Sequence, residues 1–519
     1  MDVLPMIIVA GIVVATLGLA ALAARRNSDT GDHYVAGQRV SGLQNGLALA
    51  GEQLSAASLL GITGAVALTG FSGFYLAIGI PTAFLLVLLV VAEPLRNLGK
   101  YTLADVVSFR FEGRLLRGSM AVTTLLISVI YMMIQFVGAG ILAELLLGVP
   151  FSVAVVVLAV LMTVYMLLGG MVAATYIQVF KSVLLLVVVF ILLLFVISRT
   201  GWNPVGPLVE ASDKFGPDVV SAHRLDSTSA WNNVSLMVGL SLGVMGLPHV
   251  MLRFLTTKDA RAARSSSLIA MIIFSAFFLL LPIFGYAALN EVGRETIVAD
   301  NKGGNLAVAR LAEAVSGNVL LSILAGVVIA TILAVLAGIA IAASGAAAHD
   351  LYTNVIKGGN VSPRKQLVVG RIAGVVISLL AILLALGAQN LNVGFLANVA
   401  FAIAAATLTP VLVLTIYWRG FNRFGAQAAI TGGLLLSVLL VVIGPNVMGD
   451  DALFPLSIPA IVTVPISFAL AWLGSLVGRN KVVAKGALRR NSGESLPSPS
   501  HGRSLRSPMS FVTITPLPR

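Results

Sequence analysis

Cysteine is absent from all 519 residues, which excludes structural disulfides and thiolate metal sites. Charge is sparse: 10% of the chain is charged against 58% hydrophobic, and mean hydropathy is +1.00. Those proportions exclude an ordinary water-soluble domain and describe a chain that crosses a bilayer many times. Histidine is scarce too. His33, His223, His249, His349 and His501 fall at no ligand spacing, so no transition-metal site is expected. No nucleotide-cradling Gly-rich loop, Ser/His/Asp arrangement or metal motif is present, so no enzyme is expected. The net charge of +12 does not point to nucleic acid, because there is no soluble basic domain and Lys and Arg accumulate in the cytoplasmic loops of membrane proteins.

What is present is a series of apolar windows. They fall at roughly 3–24, 43–70, 72–93, 119–148, 151–169, 171–198, 232–252, 266–289, 318–347, 367–388, 393–418, 425–445 and 456–477, which predicts an all-α polytopic membrane protein with about 13 transmembrane helices. The first window lacks a preceding basic region and reads as a retained helix, not a signal peptide. With the N-terminus outside and the C-terminus cytoplasmic, 26 of the 33 Lys and Arg fall in cytoplasmic connections, Arg253 among them, and this asymmetry sets the orientation. The outer loops 200–231 and 290–317 read as solvated connectors or as caps of an external vestibule. Residues 479–519 turn basic and Ser/Pro-rich, and are expected to form a disordered cytoplasmic tail.

One stretch organises the rest. Gly46 to Gly61 lies inside an apolar window, yet holds Glu52, Gln53, Ser55, Ser58 and several glycines. A carboxylate at membrane depth costs roughly 3 kcal/mol on insertion scales, so it faces a cavity, a partner or a pathway. Glycines make an unwound stretch feasible, with free carbonyls that could ligate a cation. The window 232–252 is also interrupted, by Gly239, Gly243, Gly246 and Pro248. Two interrupted helices at matching places in two halves point to a mid-membrane site, and five helices per half force the halves into opposite orientation. The expected organisation is a peripheral helix (1–30), a first inverted repeat (31–230), a second (231–420), two flanking helices (421–478) and the tail (479–519). Gln135, in an apolar run, is a further candidate polar contact for a solute, as are Gln53, Ser55 and Ser58; Gly239 and Gly243 would let an anion approach the backbone. His249 reads as an end-of-helix hydrogen bonder, and Lys181 as close enough to the cytoplasmic surface to snorkel.

Several motifs are familiar: Tyr34-Val35-Ala36-Gly37-Gln38, Gly51-Glu52-Gln53-Leu54-Ser55, Leu95-Arg96-Asn97-Leu98-Gly99-Lys100-Tyr101-Thr102-Leu103-Ala104-Asp105, Gly169-Gly170-Met171, Gly246-Leu247-Pro248-His249 and His349-Asp350-Leu351-Tyr352. By these the chain resembles the sodium:solute symporter family, and within it the cation/acetate symporter or monocarboxylate permease branch, from Asp32 to about Gly478. The resemblance implies a five-plus-five inverted-repeat core of the leucine-transporter kind with flanking helices. It implies symport of a short monocarboxylate such as acetate, propionate or pyruvate with Na+ or H+, in a bacterial cytoplasmic membrane. Sodium-coupled uptake of proline or a sugar, or a membrane sensor acting with a separate partner, are the alternatives. A monomer suffices, and no cofactor is implied beyond a bound Na+.

The resemblance also implies a cation site between the broken helix and the helix at 318–347. Matched by position, the carbonyls of Gly51 and Leu54 would contribute. The family's hydroxyl pair maps to Ala334 and Val335, which have no side-chain oxygen, and Gln178 stands where many sodium-coupled members carry Asp. Thr331, a turn earlier, is the nearby hydroxyl. Glu52 is therefore the expected coupling residue, carrying a proton or ligating a cation.

Overall fold

The computed structural model describes residues 3–24, 30–221 and 227–491, and the tail beyond Asn491 lies outside them. Each apolar window contains helix, and among the described residues the sole β pairing is an isolated parallel bridge between Val40 and Thr257. Among the described residues, nine helices are long and apolar enough to cross a membrane, and a bent pair, Thr228–Gly246 with Pro248–Leu255, would make a tenth. Ala10–Leu19, Ala56–Thr69 and Phe151–Val164 are shorter apolar helices.

Both interrupted windows are broken helices, each for a local reason. The first comprises Gly42–Gln53 and Ala56–Thr69, with Leu54 (φ −76°, ψ 77°) and Ser55 (φ −127°, ψ 177°) out of helical conformation between them. The Ser58 hydroxyl pins the break: it accepts from the Ser55 amide at 2.9 Å and donates to the Gln53 carbonyl at 2.7 Å. In the second, Pro248 has no amide hydrogen and forces the preceding residue out of the α region. Leu247 is accordingly extended (ψ 115°), and the two parts bend by 41°. A third interruption, Gly170 at φ +54°, divides the run Phe151–Arg199 into the two predicted spans.

The helix containing Asn318–Gly345 forms the centre. Its most apolar window is 89% buried inside the protein, against 28% to 44% for spans such as Arg423–Asp451 and Phe71–Leu98 that present most of their surface outward. A helix apolar all round and so enclosed is held on every side by other helices; it packs against the run Phe151–Arg199, the helix Arg114–Leu147 and the first helix, Val3–Ala24. The last helix, Ala460–Asn491, continues past Gly478 into the segment expected to be disordered. Both long loops hold helices of their own, Gly206–Phe215 in one and Arg294–Asp300 and Ala307–Ser316 in the other.

One face of the bundle is tied shut. Arg96 donates to the carbonyls of Thr257 and Lys258, and Arg110 to those of Thr415 and Arg419. On the same face Arg117 sits between Asp105 (2.9 Å) and Asp350 (3.2 Å), and His349 Nε2 is 3.1 Å from Asp105. This trio of His and Asp could in principle hold a metal, but the guanidinium already lies between the two carboxylates, and the arrangement is an ion-pair latch. Burial raises the Asp105 pKa, yet His349, Arg117 and the Tyr101 amide outweigh it and bring the carboxyl down to about 2.

Candidate substrate and cation site

The opposite face is open. A vestibule of about 650 Å³ is lined by residues from both broken helices and from two loops, including Thr69, Asn232, Lys302, Gly303 and Asn392. The loop 290–317 thus contributes to its wall. At its inner end Leu76 and Asn398 also line a second, smaller cavity of about 30 Å³, bounded by Gln53, Ser55, Ser58, Tyr131 and Phe401. By the usual measure that holds roughly two water molecules.

Three of the four predicted polar contacts, Gln53, Ser55 and Ser58, line this inner cavity. The Ser58 hydroxyl is committed to the helix break, whereas Gln53 Nε2 is buried without a hydrogen-bond partner. Gln135 is buried with both amide atoms unpartnered, one helical turn from Tyr131, but is not among the lining residues. Gly239 and Gly243 face neighbouring helices instead. A Cβ at Gly243 would lie 2.4 Å from the Phe401 carbonyl oxygen, and one at Gly239 would be 3.2 Å from Ala460. Their smallness lets these helices pack closely. Asn398, with a buried and unpartnered Nδ2, joins the site without having been singled out in the sequence, where an Asn in an apolar run offered a signal.

Immediately behind Gln53, Glu52 points the other way, into a buried charge cluster. Its Oε2 accepts from Arg253 Nη2 at 2.9 Å and Nε at 3.1 Å, and from Gln178 Nε2 at 3.0 Å. Its Oε1 lies beside Gly338, where a Cβ would come within 3.0 Å. Arg253 also donates from Nη1 to Thr175 Oγ1 at 3.0 Å. On the tied face a cavity of about 260 Å³ reaches Thr175, so the cluster stands between spaces on the two sides.

Three expectations are corrected here. Arg253, counted with a cytoplasmic loop, is completely buried, because the carboxylate of the other broken helix holds it inside. Lys181 does not snorkel: its side chain is 1% exposed and Nζ donates to the Thr331 carbonyl at 2.9 Å. His249 is corrected as well. Both ring nitrogens are buried without partners, and the ring packs on Tyr131 with centroids 4.7 Å apart.

The helices that carry the expected cation-site residues lie against one another. Gly51 abuts the turn bearing Gln178, where a Cβ would lie 2.5 Å from the Gln178 carbonyl oxygen. Gln178 Nε2 reaches the Ala334 carbonyl at 3.3 Å, and Lys181 reaches Thr331. Leu54 lies in the break itself, and Val335 is buried beside Ala334. Thr331 Oγ1 is buried and unpartnered.

A helical bundle with two broken helices, a polar cavity at the breaks, a vestibule on one face and a tied opposite face has the architecture of a membrane carrier. The sequence model of the sodium:solute symporter family matches residues 33–433, and the chain belongs to that family. It is 40% identical over 482 residues to the uncharacterized symporter YwcA of Bacillus subtilis, covering 91% of this chain and 94% of that one. It is 38% identical over 495 residues to a monocarboxylic acid transporter of Corynebacterium glutamicum, covering 90% of each. Among solved structures it resembles the substrate-bound outward-open state of a Na+-coupled sialic acid symporter, with a TM-score of 0.72 at 16% identity, covering 91% of this chain and 98% of that one. At that identity the likeness shows the fold.

Proposed function

We propose that the protein takes up a short monocarboxylate, such as acetate, propionate or pyruvate, by symport with a cation, Na+ or H+. The observation that carries this reading is the inner cavity of about 30 Å³, which has the buried, unpartnered amide nitrogens of Gln53 and Asn398 on its wall. The small cavity and its unpartnered amide donors on Gln53 and Asn398 suit a solute of a few heavy atoms that accepts hydrogen bonds. The name of the Corynebacterium relative supports the same substrate class. Glu52 acts as the coupling residue through its ion pair with Arg253, which joins the two broken helices. The vestibule faces outward and the arginine-tied face is cytoplasmic, in a bacterial inner membrane, with the N-terminus outside.

The test is uptake of labelled acetate and pyruvate into proteoliposomes under a sodium gradient and a proton gradient imposed separately. Accumulation under either gradient, competed by unlabelled propionate, is expected. Accumulation of neither acid under both gradients would refute the substrate class.

A further inference from the structure

We propose that the Lys181 ammonium is a tethered cation filling the seat between the end of the helix Gly42–Gln53 and the helix Asn318–Gly345, so that no sodium ion binds there. The inference rests on the reading of this chain as a cation-coupled carrier and deepens it by removing one ion from this seat.

Two observations support it. The first is the supply of oxygen ligands. A cation at a helix break is coordinated by several oxygens. Here the Thr331 carbonyl accepts from Lys181 and the Ala334 carbonyl from Gln178, while Ala334 and Val335 offer only hydrocarbon. With those two carbonyls taken, the unpartnered Thr331 hydroxyl is the side-chain oxygen left, too few for the several that a sodium ion needs.

The second is what Lys181 itself needs. Its ammonium is buried, and no carboxylate lies within ion-pair distance of it among the described residues. A buried ammonium must then be held by oxygen dipoles. Thr331 supplies one. Gly51, which has no Cβ, lets the turn bearing Gln178 press against the end of the helix Gly42–Gln53, and Lys181 follows one turn further along the same helix.

Equilibrium binding of 22Na+ to the purified full chain in detergent tests this directly. The wild type is expected to show no saturable binding. The variant Lys181→Ala with Ala334→Ser and Val335→Ser, which clears the ammonium and restores the hydroxyl pair, is expected to gain saturable one-site binding; Lys181→Arg is expected to gain none. Saturable binding by the wild type overturns the proposal, as does a folded triple variant, monodisperse on gel filtration, that binds no sodium. If the triple variant does not fold, the wild-type result decides alone. Because binding is read without substrate, failure here is distinct from failure of the monocarboxylate reading, which shows only as lost acid uptake.

Discussion

Arg253 of the second broken helix lies 2.9 Å from Glu52 of the first, with each side chain 1% exposed, so the two interrupted elements are joined through one buried ion pair. Gln178 adds a third helix to the same oxygen. Any movement of one broken helix past the other must stretch this contact or carry it along.

Removing a single partner leaves the other charge buried. Arg253→Met should therefore destabilise the protein by about 3–5 kcal/mol, and adding Glu52→Gln should recover much of the loss. Thermal unfolding in detergent of both single variants and the double variant reads the coupling. Strictly additive losses would show that the pair is energetically independent.

Glu52→Gln keeps the shape and removes the charge. Its uptake is expected to lose the response to the driving gradient that the wild type shows, leaving equilibrative exchange. A gradient response like that of the wild type would exclude Glu52 from coupling.

Gln53 and Asn398 present buried amide nitrogens without partners at the inner cavity. A hydrogen bond to a charged group is worth about 1.5–3 kcal/mol, or roughly a ten- to hundredfold change in affinity. Asn398→Leu and Gln53→Leu should each raise the KM for acetate by about that factor, whereas Ser58→Ala should act mainly on stability, since its hydroxyl holds the break.

Gly51→Val tests the close approach at the charge cluster. Its Cβ would stand 2.5 Å from the Gln178 carbonyl, so the helices must separate. Uptake should be lost, with Gly11→Val, where nothing lies within 4 Å of the added carbon, as the silent control.

The Asp105 latch carries a pH signature. Its carboxyl is held at about 2 in the folded protein against an ordinary 3.8, so ionised Asp105 favours the folded state. That contribution, about 2 kcal/mol, is complete above pH 4 and is lost as pH falls through about 2. The gap in thermal midpoint between wild type and Asp105→Asn should be widest near pH 5 to 6 and close towards pH 2. A gap that does not narrow on acidification would mean that the latch does not stabilise the fold.

The spans were legible because lipid imposes a length and a polarity that a run of Leu, Val and Ile satisfies by itself. The break at Pro248 was legible for the same kind of local reason, since proline has no amide hydrogen to donate. Gly51, Glu52, Thr331 and Ala334 were placed together by motif, and the structure does bring their helices into contact. Arg253 was not legible. A charged residue near a predicted span end reads as loop, and only the carboxylate 201 positions away in sequence keeps it inside. Lys181 failed for the same reason, its partner being a backbone carbonyl that no side-chain pattern advertises. Gly239 and Gly243 carried an ambiguity intrinsic to glycine, which serves a ligand and a neighbouring helix equally well.

The sequence by itself determined a multi-pass helical carrier with two broken helices, because hydropathy, proline and glycine act locally on the backbone and the bilayer admits few alternatives. Tertiary structure decided the charge partners and the seat they occupy. Whether a buried Lys or Arg faces solvent, a carboxylate or a carbonyl depends on which distant helix lies against it, and that contact exists only once the bundle has closed.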